Sequence, residues 1–451
     1  MQKKWTKAAA MALIAAQLLL PVRAAQVTQD GHVIPNPEVL ESYEFPDNWS
    51  REALEFCVGN GIMKGRGDSL ADKENATRAE MATMLVQLLG LSEQADLSRF
   101  TDASPDDWFY DKMAAAVAAG IVSGTSDTTL SPNARITREQ VVAMLSRAFA
   151  LNPENPKKWR DFADCARISA YARPAVSALA ERGCLTGYTD GTVQPKANIT
   201  RAEIAQILYS LFTCITEDPA QLPATGRVLY RGETPIPAGY ALEGSLTVSG
   251  KTVNVSGISV TETLTLRGEE VAVSDCTVPA VSVSVGAHVT GNAVPETLRI
   301  SGLDSRVELC AGTAYVYGSA ALTGSYEKIV CMSDGVTLDL SGTAKSVEVR
   351  GNDSRLTGTG SAELVELFGR NGASDLVATE THEAFYRKYI GAERPVLWEH
   401  SKKGMPLQGF TDNYIRVEAD GELSVTDNCI STVKLGDFSS EEEGAPLKAI
   451  R

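Results

Sequence analysis

Apolar residues follow two different periods along this chain, and the change between them falls after residue 216. Up to Phe212 they recur at helical spacing, which predicts amphipathic helices. From Leu242 to about Val377 apolar and polar residues alternate in runs such as SLTVSG and VTLDLSG, which predicts short strands that end in glycine or Asx turns. A short helix and three strands are predicted after residue 381. The pattern indicates a multidomain α + β protein.

The helical part repeats one helix-loop-helix unit three times, over residues 45–90, 100–150 and 162–212. Each repeat begins at a Phe-x-Asp sequence, continues through an apolar helix and a Gly-x-x-x-Gly turn, and ends in a second helix that opens on a Thr-Arg pair. The pairs stand at residues 77–78, 137–138 and 200–201, which lie 60 and 63 residues apart. Chance does not keep such a register three times, so the chain contains an internal repeat.

Local signals place the ends of these helices. The aspartate of each Phe-x-Asp sequence suits an N-terminal cap for the first helix, and a glycine ends that helix where a positive φ is needed. A threonine then caps the second helix, with an acid or amide at the spacing of a capping box. The glycines are Gly61, Gly120 and Gly183, and the capping pairs are Thr77 with Glu80, Thr137 with Gln140 and Thr200 with Glu203.

An arginine follows each capping threonine, at Arg78, Arg138 and Arg201. A cation at the first helical position opposes the helix dipole, so local stability does not explain it. A guanidinium beside free helix amides can grip an anion bidentately. The alternative is an ion pair between repeats, with an acid such as Asp47, Asp102 or Asp164. The residues leave both explanations open.

With these landmarks the three segments resemble S-layer homology (SLH) domains over residues 45–212. That resemblance implies a pseudo-threefold helical unit that binds secondary cell-wall polysaccharide non-covalently, often through pyruvylated sugars, whose carboxylate suits the three arginines. It implies that Trp49 and Trp108 are sugar-stacking faces, although core packing of the first helix is the simpler role for either ring. The family pattern implies glycan-facing loops at Gly65, Gly124 and Gly187.

This chain departs from the family pattern in each repeat. Repeat one has Ala76 where isoleucine is usual, and repeat two reads Thr-Arg-Glu-Gln in place of Thr-Arg-Ala-Glu. Repeat three lacks the tryptophan, and Tyr171 is its nearest aromatic residue. Three equivalent binding grooves are therefore not assumed.

The middle of the chain is predicted to be a linker over residues 216–239 and a β-solenoid over 240–378. Strands that recur without hairpin signals favour a solenoid over a sandwich. Cys310 and Cys331 are 21 residues apart, which is compatible with one stacked position on neighbouring coils. Acidic residues are available for glycosidase or lyase chemistry, but turn formation and solvated faces explain them more simply. They are Asp275, Asp304, Glu308, Asp334 and Asp339.

The C-terminal segment, residues 381–451, has a different character. In the run from Gly409 to Val417 it resembles the TRAM domain of tRNA threonylcarbamoyladenosine methylthiotransferases, which implies a small β-barrel that contacts RNA. The segment holds 9 Lys or Arg against 12 Asp or Glu, which weakens an RNA surface, although a local basic patch remains. A structural cap on the solenoid, an RNA-binding module and a fused reading frame stay open. The patch comprises Arg387, Lys388, Arg394, Lys402 and Lys403.

The charge and the N-terminal residues indicate where the protein acts. The net charge of −15 argues against general phosphate-backbone binding. Lysines at positions 3, 4 and 7 precede an apolar run that is too short to span a bilayer, which predicts a signal peptide over residues 1–24 and export without a membrane span. The eight cysteines form no CxxC pair, so neither a metal nor another cofactor is predicted.

The leading hypothesis is an exported, non-enzymatic surface protein that its repeats hold to cell-wall glycan. The rival hypotheses are a wall-bound polysaccharide hydrolase or lyase that uses the solenoid groove, and RNA binding by the tail. The oligomeric state is not predicted.

Overall fold

The structure, a computed structural model, describes residues 25–67, 69–284, 286–302, 304–374, 376–378, 386–387, 389–398, 406–411, 415–419, 429–440 and 445–450. The predicted signal peptide lies outside these residues. The chain divides into two compact units, Met1–Ser305 and Arg306–Arg451. The predicted order of domains, with helical repeats first, then a β-solenoid and then a small β-barrel, is confirmed.

Each repeat contributes two α-helices. The capping threonines stand where the sequence places them, and the Thr77 and Thr200 hydroxyls accept from the amides of Glu80 and Glu203. The first helix of each repeat ends before a glycine with φ of 68°, at Gly61, Gly120 and Gly183. The helices are α1 (Arg51–Gly59), α2 (Arg78–Leu89), α3 (Tyr110–Ala118), α4 (Arg138–Ala148), α5 (Arg173–Glu181) and α6 (Arg201–Leu211).

The three repeats close into a ring. The second helix of each repeat packs against the first helix of the next, so that α2 meets α3, α4 meets α5 and α6 meets α1. On the axis, the amide of Ala76 donates to Ile199, that of Ile199 to Ile136 and that of Ile136 to Ala76, at 3.0 to 3.1 Å. These three side chains are fully buried. The helical unit is therefore pseudo-threefold, and each repeat depends on both neighbours for its core.

The Phe-x-Asp aspartates of repeats two and three bond to the loops rather than to the first helices. Asp102 accepts from the amides of Leu130 and Ser131 at 2.9 and 2.7 Å. Asp164 accepts from Val193 and Gln194 at 2.8 and 2.9 Å. The predicted role as helix cap is wrong, because the first helices of these repeats begin only after intervening turns.

A short hairpin at the start of the described chain joins the first and third repeats. Its strands are β1 (Gln26–Val27) and β2 (Val33–Ile34), which pair antiparallel. His32 is buried and stacks on Tyr209 with 3.5 Å between ring centroids, and its Nε2 lies 2.9 Å from the Tyr209 carbonyl. The hairpin thus contributes to the core that α1 and α6 share.

The β-solenoid of the first unit is built from parallel strands in two ladders. One ladder runs β12-β10-β8-β5-β4-β3 and the other β11-β9-β6, and β7 adds to β5. The aliphatic column Leu246, Leu264, Val281 and Leu298 is in register and fully buried. The strands are β3 (Cys214–Thr216), β4 (Thr225–Tyr230), β5 (Ala241–Ser249), β6 (Thr252–Ser256), β7 (Ser259–Val260), β8 (Thr263–Arg267), β9 (Glu270–Ser274), β10 (Ala280–Val283), β11 (His288–Gly291) and β12 (Thr297–Ile300).

The segment 216–239, predicted as a linker, contains β4, which pairs with both β3 and β5. The solenoid therefore begins directly after α6. Most of the proline and glycine residues that suggested a linker lie between the strands of these first coils, while Gly226 lies within β4. Arg231 donates from Nη1 to the carbonyl of Leu88 at 3.1 Å, and Ser249 donates to that of Leu89 at 3.0 Å. The C-terminal end of α2 is thus capped by the solenoid.

The second unit continues with parallel strands and two ladders, β22-β20-β18-β16-β14 and β21-β19-β17-β15. The predicted stacking of Cys310 on Cys331 is wrong: Cys331 is in register with Val316, while the Cys310 sulfur accepts from the amide of Ser325. The strands are β13 (Ser305–Glu308), β14 (Ala311–Val316), β15 (Ala320–Leu322), β16 (Ser325–Cys331), β17 (Thr337–Leu340), β18 (Thr343–Val349), β19 (Arg355–Thr357), β20 (Ser361–Leu367), β21 (Ala373–Ser374) and β22 (Val377–Ala378).

Acidic residues at the strand ends shape the turns. Asp275 and Asp304 adopt positive φ, at 55° and 63°. Asn292 donates to Asp275 at 2.9 Å, and the amide of Asn352 donates to Asp334 at 2.7 Å, so equivalent turns on successive coils are tied together. These contacts favour the turn-forming role over catalysis.

A pair of carboxyl groups lies side by side on β18 and β20 of the second unit, at Glu348 and Glu366. Glu348 is fully buried and pairs with Lys328 and with Arg350, the latter at 2.6 Å. Burial and then the charge of Glu348 raise the pKa of Glu366 to about 7, against the opposing charges of Lys328 and Arg350. Tyr386 also lies within electrostatic range of Glu366.

The shifted carboxyl group predicts a pH-dependent stability. The stabilisation from neutral Glu366 is fully present below pH 4.5 and is lost as the pH rises to about 7. We expect Glu366→Gln to raise the free energy of unfolding at pH 8 by about 1–3 kcal/mol and to leave it unchanged at pH 4. Urea titrations of the full chain at both pH values measure this, with Glu363→Gln on the exposed face of the same strand as control. An equal gain at both pH values would contradict the account.

The C-terminal strands form a closed barrel in the order β23-β24-β25-β27-β26. Trp398 and Val417 are fully buried in its core, and the Trp398 indole donates to Ser431 at 2.6 Å. One predicted strand is in fact the antiparallel pair β24 and β25, and the last strand was not predicted. The predicted helix, basic patch and motif lie partly outside the described chain, at residues 381–385, 388, 402–403 and 412–414. The strands are β23 (Glu393–Trp398), β24 (Gln408–Thr411), β25 (Arg416–Ala419), β26 (Ile430–Phe438) and β27 (Leu447–Ile450).

Candidate binding grooves between the repeats

We define three related candidate grooves, one at each place where a repeat meets the next. Each combines the start of one repeat's second helix, the loop before that helix, the aromatic residue that opens the next repeat, and an arginine from the remaining repeat. The packing of second helices on first helices assigns each aromatic residue to its groove. Groove 1 contains Arg201, Glu80 and Trp108; groove 2 contains Arg78, Gln140 and Tyr171; groove 3 contains Arg138, Glu203 and Trp49.

The three arginines clamp the loops of neighbouring repeats. Arg78 donates from Nε and Nη2 to the carbonyls of Leu130 and Ser123, at 3.0 and 3.1 Å. Arg201 donates in the same way to Leu70, at 3.0 Å, and to Lys64. Arg78 and Arg138 are 8% exposed and Arg201 is 3% exposed. Each guanidinium is therefore part of the inter-repeat structure as well as of a groove.

The helix amides beside these arginines are not free. The amide of Arg78 donates to Ala134 at 3.0 Å, and that of Ala79 donates to Pro132 at 2.9 Å. The amides at the start of α4 and α6 bond in the same way to the next repeat's loop. The expectation that these amides are free is therefore wrong, because the loops supply carbonyls that satisfy them. The role of the three arginines toward an anion stays a prediction.

Ion pairs between repeats exist, but their acids are glutamates. Arg201 Nη1 lies 3.5 Å from Glu80, and Arg138 Nη1 lies 3.2 Å from Glu203. The expected partners Asp102 and Asp164 instead accept loop amides. The capping-box glutamates of repeats one and three thus also balance the arginine of another repeat.

The opening aromatic residues stand on the surface. Trp49 is 63% exposed, Trp108 is 65% exposed and Tyr171 is 52% exposed. Each lies two residues before the first helix of its repeat, so Tyr171 is the positional equivalent of the two tryptophans. The core-packing role for the tryptophans is wrong, because neighbours such as Phe109 fill the core instead. Exposed rings at equivalent places can stack against sugar faces.

Groove 2 holds a polar network that sequence reasoning missed. Glu139 is buried and accepts from Ser169 Oγ and Tyr171 Oη at 3.0 Å each, and from Lys196 Nζ at 2.5 Å. Burial alone would raise the pKa of Glu139, but the bonds from these donors outweigh it and hold that pKa below its ordinary value. Burial and Glu139 raise the pKa of Tyr171 to about 12. The sequence signal for this network was Glu139, which stands in repeat two where the family pattern has alanine.

The predicted loop glycines allow close contacts within each repeat. A Cβ on Gly124 would lie 3.1 Å from Phe100, and one on Gly187 would lie 3.0 Å from Phe162. Gly65 faces Tyr43 in the same way. These glycines let each loop fold over an aromatic residue at or just before the start of its repeat, and so set the shape of the groove wall.

Neither a metal site nor a membrane-spanning helix appears within the described chain. Its His, Cys, Asp and Glu side chains form no group of three or more that could hold a metal ion. None of the helices in the described ranges is long and apolar enough to cross a bilayer.

The structure thus consists of a helical ring with exposed aromatic residues between its repeats, joined to a β-solenoid. The family model of the S-layer homology domain matches residues 43–82, 99–142 and 161–205. The chain therefore carries three S-layer homology domains.

Relatives of known name match over similar lengths. The surface-layer 125 kDa protein of Lysinibacillus sphaericus is 28% identical over 46% of this chain and 16% of its own length. The S-layer protein sap of Bacillus anthracis is 28% identical over 39% of this chain and 22% of its own length. The amylopullulanase of Thermoanaerobacterium thermosulfurigenes is 31% identical over 37% of this chain and 9% of its own length. The chain thus spans under a quarter of the length of each of these relatives. Its S-layer homology domains and its S-layer relatives indicate a secreted protein associated with the cell wall.

Proposed function

We propose that the three repeats hold this chain on the cell wall by binding secondary cell-wall polysaccharide non-covalently. In this proposal residues 45–90, 100–150 and 162–212 are the anchor, and the β-solenoid and barrel are displayed outward. The observation that carries it is the pair of exposed tryptophans, Trp49 and Trp108, at equivalent places beside two grooves. Large exposed rings are rare on a surface that does not bind, and they suit the apolar faces of sugars.

The other predicted residues shape the binding surface. Arg78, Arg138 and Arg201 join the repeats and give each groove a cationic edge. Their position suits a polymer that carries carboxylates, such as a pyruvylated glycan. The loops folded at Gly65, Gly124 and Gly187 form the groove walls.

The chain acts without catalysis in this proposal. Asp275, Asp304 and Asp334 have structural roles in turns, which supports it. RNA binding by the barrel is not part of the proposal. Of the predicted basic patch, Arg387 stacks on Phe438 and Arg394 on Tyr389, so these cations serve the barrel itself.

Sedimentation of the full chain with purified cell walls tests the proposal. We expect the chain to sediment with intact walls and to stay in solution when the secondary polymer has been removed, because the grooves recognise that polymer. A matched control is the binding of the same chain to peptidoglycan alone, which we expect to be weak. Equal retention on walls with and without the polymer would contradict the proposal.

A further inference from the structure

A cleft of about 970 Å³ lies between the helical ring and the first solenoid coils, within the first unit. The ends of α4, α5 and α6 form one wall of this ring–solenoid cleft, and strands β4, β5, β8 and β10 form the other. Grooves 1 to 3 contain the opposite, N-terminal ends of the second helices, so the cleft is a separate site. Its volume is near the upper end of the roughly 300–1,000 Å³ that small-molecule sites occupy.

The solenoid wall of the cleft carries a column of hydroxyl groups. Thr247, Thr265 and Ser282 are in register on β5, β8 and β10. Their neighbours along the strands, such as Leu264 and Leu266, are fully buried in the solenoid core. Because side chains alternate along a strand, the three hydroxyl groups face the ring. Adjacent strands are about 4.8 Å apart, so the column presents one hydroxyl group per coil at that spacing.

These hydroxyl groups are buried without a partner. Thr247, Thr265 and Ser282 are 8%, 7% and 3% exposed. Their side chains form no hydrogen bond with any residue in the part of the chain that the structure describes. Burying an unbonded hydroxyl group is unfavourable, and valine or alanine would fill the same positions without that cost. The column therefore indicates a ligand that bonds to it.

Other solenoid residues that face the ring do have partners. Ser249, two residues after the first member of the column, donates to the last carbonyl of α2 at 3.0 Å. Arg267, two residues after the second member, donates to two helix ends at 3.1 and 2.9 Å. From the ring, Asn152 donates to Ser301 at 2.6 Å. These bonds hold the ring on the coils, so the cleft is formed before any ligand enters.

The ring wall of the cleft is apolar where it faces the hydroxyl column. Phe149, Leu151 and Phe212 line it, and the two phenylalanine rings meet edge to face with 4.8 Å between their centroids. A ligand that fits both walls has hydroxyl groups along one side and C–H groups along the other. A sugar ring has this character, since its edge bonds to polar groups while its face packs on apolar ones.

The charges of the cleft favour a neutral ligand. Arg227 and Glu243 form no ion pair or side-chain hydrogen bond with residues in the described ranges, and their charges are opposite. The other charged groups of the lining are already bonded within the protein, so none of them requires a counterion. They are Lys158, Arg182, Glu154, Glu181 and Glu262.

We propose that the ring–solenoid cleft binds a neutral saccharide, whose hydroxyl groups bond to Thr247, Thr265 and Ser282 while its apolar face lies against Phe149 and Leu151. The cleft is thus a second saccharide site, which belongs jointly to the ring and to the solenoid. It goes beyond the wall anchoring proposed above and does not depend on it, because none of these residues belongs to grooves 1 to 3.

Calorimetric titration of the full chain with cellotriose, maltotriose and tri-N-acetylchitotriose tests the proposal. We expect at least one of these neutral trisaccharides to bind. Thr265→Val exchanges the central hydroxyl group for a methyl group of similar size and should weaken that binding about tenfold. Thr265→Ser keeps the hydroxyl group and should bind almost as the wild type does. The matched control is Thr252→Val, on the exposed side of β6, which should keep the wild-type affinity.

Thermal unfolding separates a binding role of the hydroxyl group from a structural one. Without saccharide, Thr265→Val should melt at or above the wild-type temperature, because the hydroxyl group has no partner within the described chain. A lower melting temperature would show that the hydroxyl group supports the fold, and it would overturn the proposal.

Three binding results would also overturn it. If none of the three trisaccharides binds to the wild-type chain, the cleft holds water only. If Thr265→Val binds as tightly as the wild type, the hydroxyl column is not the site. If the double variant Trp49→Ala, Trp108→Ala loses the trisaccharide, the sugar lies at the grooves instead. Failure of the wild-type chain to sediment with walls would reject the proposed function and leave the cleft unaffected.

Discussion

Replacing Trp49 and Trp108 together by alanine should abolish retention on cell walls without lowering thermal stability. Both rings are more than 60% exposed, so their removal creates no cavity and should change the free energy of unfolding by less than about 0.5 kcal/mol. Aromatic contacts of this kind contribute on the order of 1–2 kcal/mol each to binding. Losing two of them weakens binding about a hundredfold. Wall sedimentation and thermal unfolding of the same preparation measure both quantities.

The control for this variant is Val294→Ala, which removes an equally exposed apolar side chain from the solenoid. We expect it to keep full retention. If the double tryptophan variant sediments as the wild type does, the rings are not the binding surface. If it loses retention and stability together, the loss reports unfolding and the grooves are not implicated.

Replacing Arg267 by methionine should destabilise the first unit by about 2–4 kcal/mol, or roughly 5 °C or more in melting temperature. Arg267 lies on β8 and donates to the carbonyls of Ala148 and Ala119 at 3.1 and 2.9 Å, where α4 and α3 end. Burial lowers the pKa of Arg267 to about 10, so it remains charged at neutral pH. Methionine keeps the apolar stem but leaves two helix ends without their cation.

Thermal unfolding of the full chain measures this effect. Lys251→Met is the matched control, because Lys251 is a largely exposed cation whose partners are the exposed acids Glu93, after α2, and Glu269, on the neighbouring coil. We expect its melting temperature to stay within 1 °C or so of the wild type. An unchanged melting temperature for Arg267→Met would show that the helical unit does not depend on the solenoid coils.

Features of the fold that depend on neighbouring residues could be predicted from the sequence. A glycine that ends a helix and a threonine that caps one depend only on residues within four positions of them. Gly120 and Thr200 therefore have the roles that the sequence predicts. The role of Asp102 could not be predicted in this way, because its partners lie 28 and 29 residues further on. The strand β4 was hidden by turn residues that resemble a linker. Its place is determined by the coils on either side.

The candidate site was predictable in its residue types but not in its contacts. The sequence identified Arg78, Trp49 and Trp108, because their positions repeat. Whether a tryptophan is buried or exposed depends on which neighbouring side chain fills the core, and Phe109 does so in repeat two. The contacts between repeats required the structure, since Glu80 and Glu203 each pair with an arginine of another repeat.

The most direct measurement follows the tryptophan side chains while the released wall polymer is added to the full chain. Nuclear magnetic resonance of fluorotryptophan-labelled protein separates the signals of the five tryptophans, Trp5, Trp49, Trp108, Trp159 and Trp398. We expect the signals of Trp49 and Trp108 to shift with the added polymer, and those of Trp159 and Trp398 to stay in place. Binding of the polymer without a shift at Trp49 and Trp108 would contradict the account.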